Sequence, residues 1–190
     1  MPRPAVRLAA VLALAAGAVA AGCRGGGEGP LPVVVRELAP GERVLALRDL
    51  DSVAARSVAA IIVAPGGKPE LRIFQLDERG DYRVTHKSSQ GDAFRNLDLE
   101  DVDADGRDEI LVTWRGGHLE MIEVIARAED GSCRTLFQNA GRDIERRVGR
   151  DGRIEFWIGS RTYEEKPGEP PAYDTAVYRF KDGAYVEVPG

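Results

Sequence analysis

The stretch Asp101-Val102-Asp103-Ala104-Asp105-Gly106-Arg107-Asp108-Glu109 runs straight into Ile110-Leu111-Val112-Thr113-Trp114. Acidic side chains stand at loop positions one, three, five and nine, with glycine at six. Alternate residues of a tight loop can aim carboxylates at one point, and a glycine at the sixth place takes a backbone angle that other residues resist. This spacing suits a hard cation with oxygen ligands, calcium first among them. A helical calcium hand carries a bidentate glutamate at position twelve, but Val112 stands there, and the β-branched run around it reads as a strand. The loop therefore leads into a sheet. Its expected ligands are the side chains of Asp101, Asp103, Asp105 and Glu109 and the carbonyl of Arg107, completed by water.

Working outward, the chain repeats with a period near fifty residues, which reads as blades or solenoid units. Pro65-Gly66-Gly67 returns as Arg115-Gly116-Gly117, and the apolar runs 60–63 and 110–113 keep the same offset. Hairpin signals recur at Arg79-Gly80, Asp130-Gly131 and Asp182-Gly183, with glycine offsets of 51 and 52. Apolar runs and period-two alternation predict strands near 60–64, 70–76, 82–87 and 93–99 in a first unit. A second unit has 110–114, 119–125, 134–137 and 144–148, and a third has 154–158, 175–180 and 185–188. One more strand, 44–47, precedes them and is expected to complete the three-stranded last unit, as terminal strands do when a ring closes. The predicted fold is all-β, with three four-stranded blade-like repeats forming an open arc, a small ring or half of a dimeric propeller. A β-sandwich is the alternative.

The acidic loop resembles the calcium loop of FG-GAP and VCBS repeats, the β-propeller blades of integrin α chains and many bacterial envelope proteins, whose motif reads D-x-D-x-D-G-x-x-D. Glu109 stands for the last aspartate, which keeps the charge and lengthens the reach. The resemblance implies one structural calcium ion and a role in adhesion, ligand binding or scaffolding. At an offset of fifty, Asp51 matches Asp101, but Val53, Ala55, Arg56 and Ala59 replace the other key positions. At an offset of 46, Asp151-Gly152-Arg153 and Glu155 match Asp105-Gly106-Arg107 and Glu109, whereas Arg147 and Gly149 replace two acids. One cation per chain is therefore expected.

Residues 1–22 read as an export signal: Arg3 and Arg7 charge the front, 8–16 form an apolar core, and small residues follow. Ala20-Ala21-Gly22-Cys23 resembles the lipobox of bacterial lipoproteins, which implies acylation of Cys23, although Ala20 stands where leucine is usual. In that family's sorting rule, Arg24 in place of aspartate implies the outer membrane where one exists. Cleavage after Ala18-Val19-Ala20 is the alternative; it leaves Cys23 a free thiol on a secreted or periplasmic protein. The glycine- and proline-rich start of 23–40 predicts a flexible tether ahead of a domain over 41–190. Losing Arg3 and Arg7 moves the formal charge from −5 to −7, which disfavours nucleic acid as a partner. Cys133 reads as a small buried side chain, and His86 and His118 carry no local motif.

Two further candidates remain. The polar, proline-rich segment 161–174 offers Tyr163 and Tyr173 to a protein or carbohydrate ligand. Asp98 and Glu100, beside the loop, are the acids that a polysaccharide hydrolase would use. The expected function is an exported, membrane-tethered, calcium-binding module that binds or scaffolds without catalysis, and self-association is a further possibility for the repeats.

Overall fold

The computed structural model describes residues 34, 37–51, 56–161 and 173–189. Its strands are β1 (Arg43–Asp49), β2 (Ser57–Val63), β3 (Pro69–Leu76), β4 (Tyr82–Ser88), β5 (Ala93–Glu100), β6 (Glu109–Gly116), β7 (Leu119–Arg127), β8 (Cys133–Gly141), β9 (Asp143–Val148), β10 (Ile154–Arg161), β11 (Tyr173–Lys181) and β12 (Ala184–Val188). They form three antiparallel sheets of four, β1 to β4, β5 to β8 and β9 to β12, each strand beside its sequence neighbour. The fold is all-β. Gly80, Gly131 and Gly183 sit at φ 83°, 80° and 86° in the turns that lead into the last strand of each sheet, where the sequence places hairpins.

The grouping of strands differs from the sequence expectation by one strand. Strand β1 pairs with β2, Arg43 opposite Val63, and does not complete the last sheet. Strand β5 pairs with β6 across the acidic loop, Glu100 opposite Glu109, so that loop is a hairpin turn inside one sheet. In the same way β9 opens the third sheet, where 144–148 was expected to close the second unit. The breaks between sheets fall at residues 89–92 and at Arg142. At both breaks the backbone passes close to its neighbour: a Cβ on Gly91 would lie 2.7 Å from the Arg115 carbonyl oxygen, and one on Gly141 would lie 2.9 Å from that of Gly159. The amides that follow make matching bonds, Asp92 to Arg115 and Arg142 to Gly159, each 2.8 Å.

The repeat also shows in the irregularities. Leu45 and Arg95 are extra residues bulged out of β1 and β5, fifty positions apart. Thr85 and Leu136 are bulged out of β4 and β8. All four bulges lie on edge strands, where they twist the free edge and interrupt the ladder that another chain would extend.

The sheets stack in chain order. Between the first and second sheets lie Ala59, Ile61, Leu71 and Ile73 against Leu97, Ile110, Val112, Trp114 and Ile125. Between the second and third lie Leu111, Ile122, Val124, Leu136 and Phe137 against Ile154, Phe156 and Ile158, with the Phe137 and Phe156 rings stacked at 4.9 Å. The middle sheet is thus buried on both faces, which is why β6 is apolar almost throughout.

The two ends of the stack are finished differently. The outer face of the first sheet, with Val58, Ala60, Ile62 and Phe74, is covered by Val34 and Leu38. Val34 is fully buried, so part of the expected 23–40 tether belongs to the folded unit. The outer face of the third sheet is polar at its centre: Arg147 lies over the Trp157 ring at 3.9 Å and bonds Glu145, and Arg179 bonds Glu155.

Candidate metal centre

The turn between β5 and β6 is shaped by its own aspartates. Asp101 accepts hydrogen bonds from the amides of Asp105 (3.1 Å) and Gly106 (2.9 Å), while Asp105 N also approaches Asp103 Oδ1 at 3.2 Å. Ala104 and Gly106 take φ 60° and 87°, and these left-handed steps reverse the chain. Val102 points the opposite way from Asp101 and Asp103, into the core between the second and third sheets. Glu109, the first residue of β6, is only 3 % exposed, and its Oε2 accepts the Val102 amide at 3.0 Å.

One carboxylate oxygen from each of Asp101, Asp103 and Glu109 lies within 4.8 Å of the others. Calcium sits 2.3–2.6 Å from each oxygen, so two ligands on opposite sides are up to about 5 Å apart, and the three oxygens fit a single ion. Burial raises the Glu109 carboxyl from its ordinary 4.5 to about 7, and the neighbouring aspartates add to the rise. Burial and the charge on Asp105 push Asp103 up as well. Negative charge is thus crowded around one buried and two half-buried carboxylates, the condition that a divalent cation relieves.

Of the other expected ligands, Asp105 is placed differently. The Asp105 carboxylate caps the Arg107 amide at 2.8 Å and stands outside the convergent three. The Arg107 guanidinium reaches outward to Glu129 at 3.3 Å, leaving its backbone to the loop.

Residues of the third sheet brace the loop, and the motif alone did not disclose them. The Val102 carbonyl accepts the Ile154 amide (2.9 Å) and the Tyr185 hydroxyl (3.3 Å), and the Asp103 carbonyl accepts Arg153 Nε (3.0 Å). The Tyr185 hydroxyl also reaches the Ile154 carbonyl at 3.0 Å, and burial beside Glu109 raises its phenol well above the usual value. The sequence signal for Arg153 lies in the register. The matched bonds Asp92–Arg115 and Arg142–Gly159 set an offset of 44 between β6 and β10, and the pairs Ala93–Arg115 and Arg43–Val63 set an offset of 52 between β2 and β6. Ser57, Glu109 and Arg153 are therefore equivalent positions. This corrects the offset of 46: Glu155 lies farther along β10 on the outer face, bonded to Arg179, and the third loop is a short turn closed by Gly149 N to Arg153 O at 2.7 Å.

The first sheet brings a side-chain cation to the equivalent loop. Arg127, from the end of β7, donates to Ser57 Oγ (2.7 Å), the Leu50 carbonyl (3.0 Å) and Asp51 Oδ1 (2.7 Å). Asp51 occupies the place of Asp101 and Ser57 that of Glu109, so a guanidinium neutralises the loop whose acids are mostly lost.

Among the remaining candidates, Asp98 and Glu100 both contact Arg146 Nη1, at 3.4 and 2.9 Å. Tyr163 and Cys23 lie outside the described residues. Tyr173 opens β11, its backbone opposite Arg161, so both strands run farther into the 161–174 segment than expected. Cys133 is half-buried and packs against the core between the first two sheets. No family model, curated protein or solved structure matches the chain.

Proposed function

We propose that this chain is an exported calcium-binding β-repeat module, tethered to the envelope membrane by lipid on Cys23, that presents a rigid surface for binding or scaffolding. The observation that carries the reading is the convergence of Asp101, Asp103 and Glu109 within 4.8 Å, with Glu109 buried. Calcium there would neutralise the three carboxylates and fix the loop against the third sheet. The ligand set then leaves little room for substrate, and calcium activates water weakly beside zinc, so the ion is read as structural. Arg146 Nη1 contacts both acids that a hydrolase reading would use, which favours ion-pair bracing of β5 and β9 for them.

Calorimetric scans with calcium and with chelator test the reading. At a hundredfold excess over the dissociation constant, binding to the native state alone adds about 2.7 kcal/mol. Asp103→Asn should remove most of the rise in melting temperature, and equal scans for the unaltered chain with and without calcium would sink the proposal. Export and lipidation are checked separately, by metabolic labelling with a palmitate analogue and by its loss in Cys23→Ala.

A further inference from the structure

The three sheets end in the edge strands β1, β4, β5, β8, β9 and β12. The first four carry the bulges at Leu45, Thr85, Arg95 and Leu136. The third sheet has no such device, because β9 and β12 both pair without a register shift. Charge protects β9: Asp143, Glu145, Arg146 and Arg147 are four of its six residues and set hydrated groups against an approaching strand. Strand β12, Ala184-Tyr185-Val186-Glu187-Val188, has one charge and no bulge. Ala184, Val186 and Glu187 are exposed, Val186 to 39 %.

The turn before β12 fixes which backbone groups face outward. Asp182 and Gly183 stand at φ 52° and 86°, the two left-handed steps of a two-residue hairpin loop, and Lys181 lies opposite Ala184. That pair exchanges both of its bonds, so by alternation Val186 bonds Arg179 and Val188 bonds Val177. The N–H and C=O of Tyr185 and Glu187 therefore point away from the sheet. Among the described residues, no backbone bond from outside the sheet reaches them.

A ladder grows by matching outward groups to outward groups, which leaves few admissible registers. We propose that β12 pairs antiparallel with β12 of a second copy of this chain, about a two-fold axis at Val186, so that two third sheets become one. The strand is complementary to its own reverse. Tyr185 faces Glu187 of the second copy and exchanges both bonds with it, and the same exchange repeats across the axis. Val186 meets Val186 and Ala184 meets Val188, which extends the outer face from Val177 as an apolar stripe. No like charges are opposed. An axis at Glu187 would set glutamate against glutamate and bring Pro189, which has no N–H, opposite Tyr185. An axis at Tyr185 would set Val188 against Asp182 of the turn. The contact is isologous and closes on itself, so it gives a dimer and no fibre. Five residues a side is small beside the ~20–30 of a permanent interface, so the dimer is reversible. The pairing uses none of the three converging carboxylates and stands apart from the calcium reading.

The test is sedimentation of the full chain in density-matched detergent, which masks the apolar run 8–16, with calcium and again with chelator. As concentration is raised about a hundredfold, the mass should climb from monomer toward dimer in both conditions and go no higher. Val186→Lys sets two ammonium groups against each other at the axis and should weaken association about tenfold, with melting unchanged. Val84→Lys, on the bulged edge β4 at a matching exposure of 40 %, should not weaken it. Disulfide trapping in a Cys23→Ala, Cys133→Ser background reads the register. Val186→Cys places two thiols at a non-hydrogen-bonded pair, with Cα atoms about 4.5 Å apart and within disulfide reach, and should cross-link. Ala184→Cys alone faces Val188 and should not. A chain that stays monomeric over the whole range overturns the proposal, whether water or a strand of another protein then takes the edge. So does association that Val186→Lys leaves intact. Where Val186→Lys does not fold, the cysteine variants decide, and a folded Val186→Cys chain that fails to cross-link overturns the pairing. If the calcium reading alone fails, melting is insensitive to calcium while the dimer persists.

Discussion

The first hairpin loops of the first two sheets share a register and differ in how their carboxylates are met. In the first, Arg127 brings a guanidinium to Asp51, Ser57 and the Leu50 carbonyl. In the second, Asp101, Asp103 and Glu109 converge, and among the described residues no arginine or lysine forms an ion pair with any of them. The comparison teaches that the repeat sets where carboxylates gather, while the residues at two or three positions decide whether a neighbouring strand brings a counter-charge to them.

The sharpest way to break the comparison is to remove the internal cation. Arg127→Met strips three hydrogen bonds from the first loop and leaves Asp51 without a counter-charge, so urea unfolding should show a loss of about 3 kcal/mol, independent of calcium. The second loop responds in the opposite sense. Glu109 has its carboxyl raised to about 7 in the folded protein against an ordinary 4.5. The native state therefore holds the proton more tightly, and in chelator stability should fall as pH rises from about 4.5 to about 7, then level off. Glu109→Gln should flatten that slope and stabilise the chelated protein at pH 8 by on the order of 2–3 kcal/mol, while abolishing the response to calcium. A chelated protein whose stability climbs over that pH range would contradict the burial assigned to Glu109. The smallest effect is expected from Tyr185→Phe, which removes one hydroxyl from the Val102 and Ile154 carbonyls; thermal unfolding should show a loss of about 1 kcal/mol.

Twelve strands, their approximate limits and the acidic loop were legible because each is written locally, in alternation, glycine and aspartate. The pairing of strands was not. The runs 44–47 and 93–99 look alike whether they open a sheet or close one, and only hydrogen bonding across 101–108 shows that the acidic loop lies inside a sheet. Alignment of the third loop failed for a related reason. Asp151-Gly152-Arg153 matches the letters of Asp105-Gly106-Arg107, but the backbone counts residues from Gly141 and Arg142, and that count puts Arg153 at the position of Glu109. The bulged residues Leu45, Arg95, Thr85 and Leu136 carry no signature in composition, because a bulge is a property of two strands together. In the acidic loop, the convergence of Asp101, Asp103 and Glu109 follows from the motif, whereas the bracing by Arg153 and Tyr185 depends on how the third sheet docks.

The unlike ends of the stack bear on how such a molecule can be lengthened. A sheet added before β1 would have to displace Val34 and Leu38, and one added after β12 would strand the Arg147–Glu145 and Arg179–Glu155 pairs in a dry seam. Only the middle sheet packs both of its apolar faces against other sheets. An engineer wanting a longer array would duplicate β5 to β8 and leave both outer sheets as terminators, and each inserted copy would carry its own acidic loop.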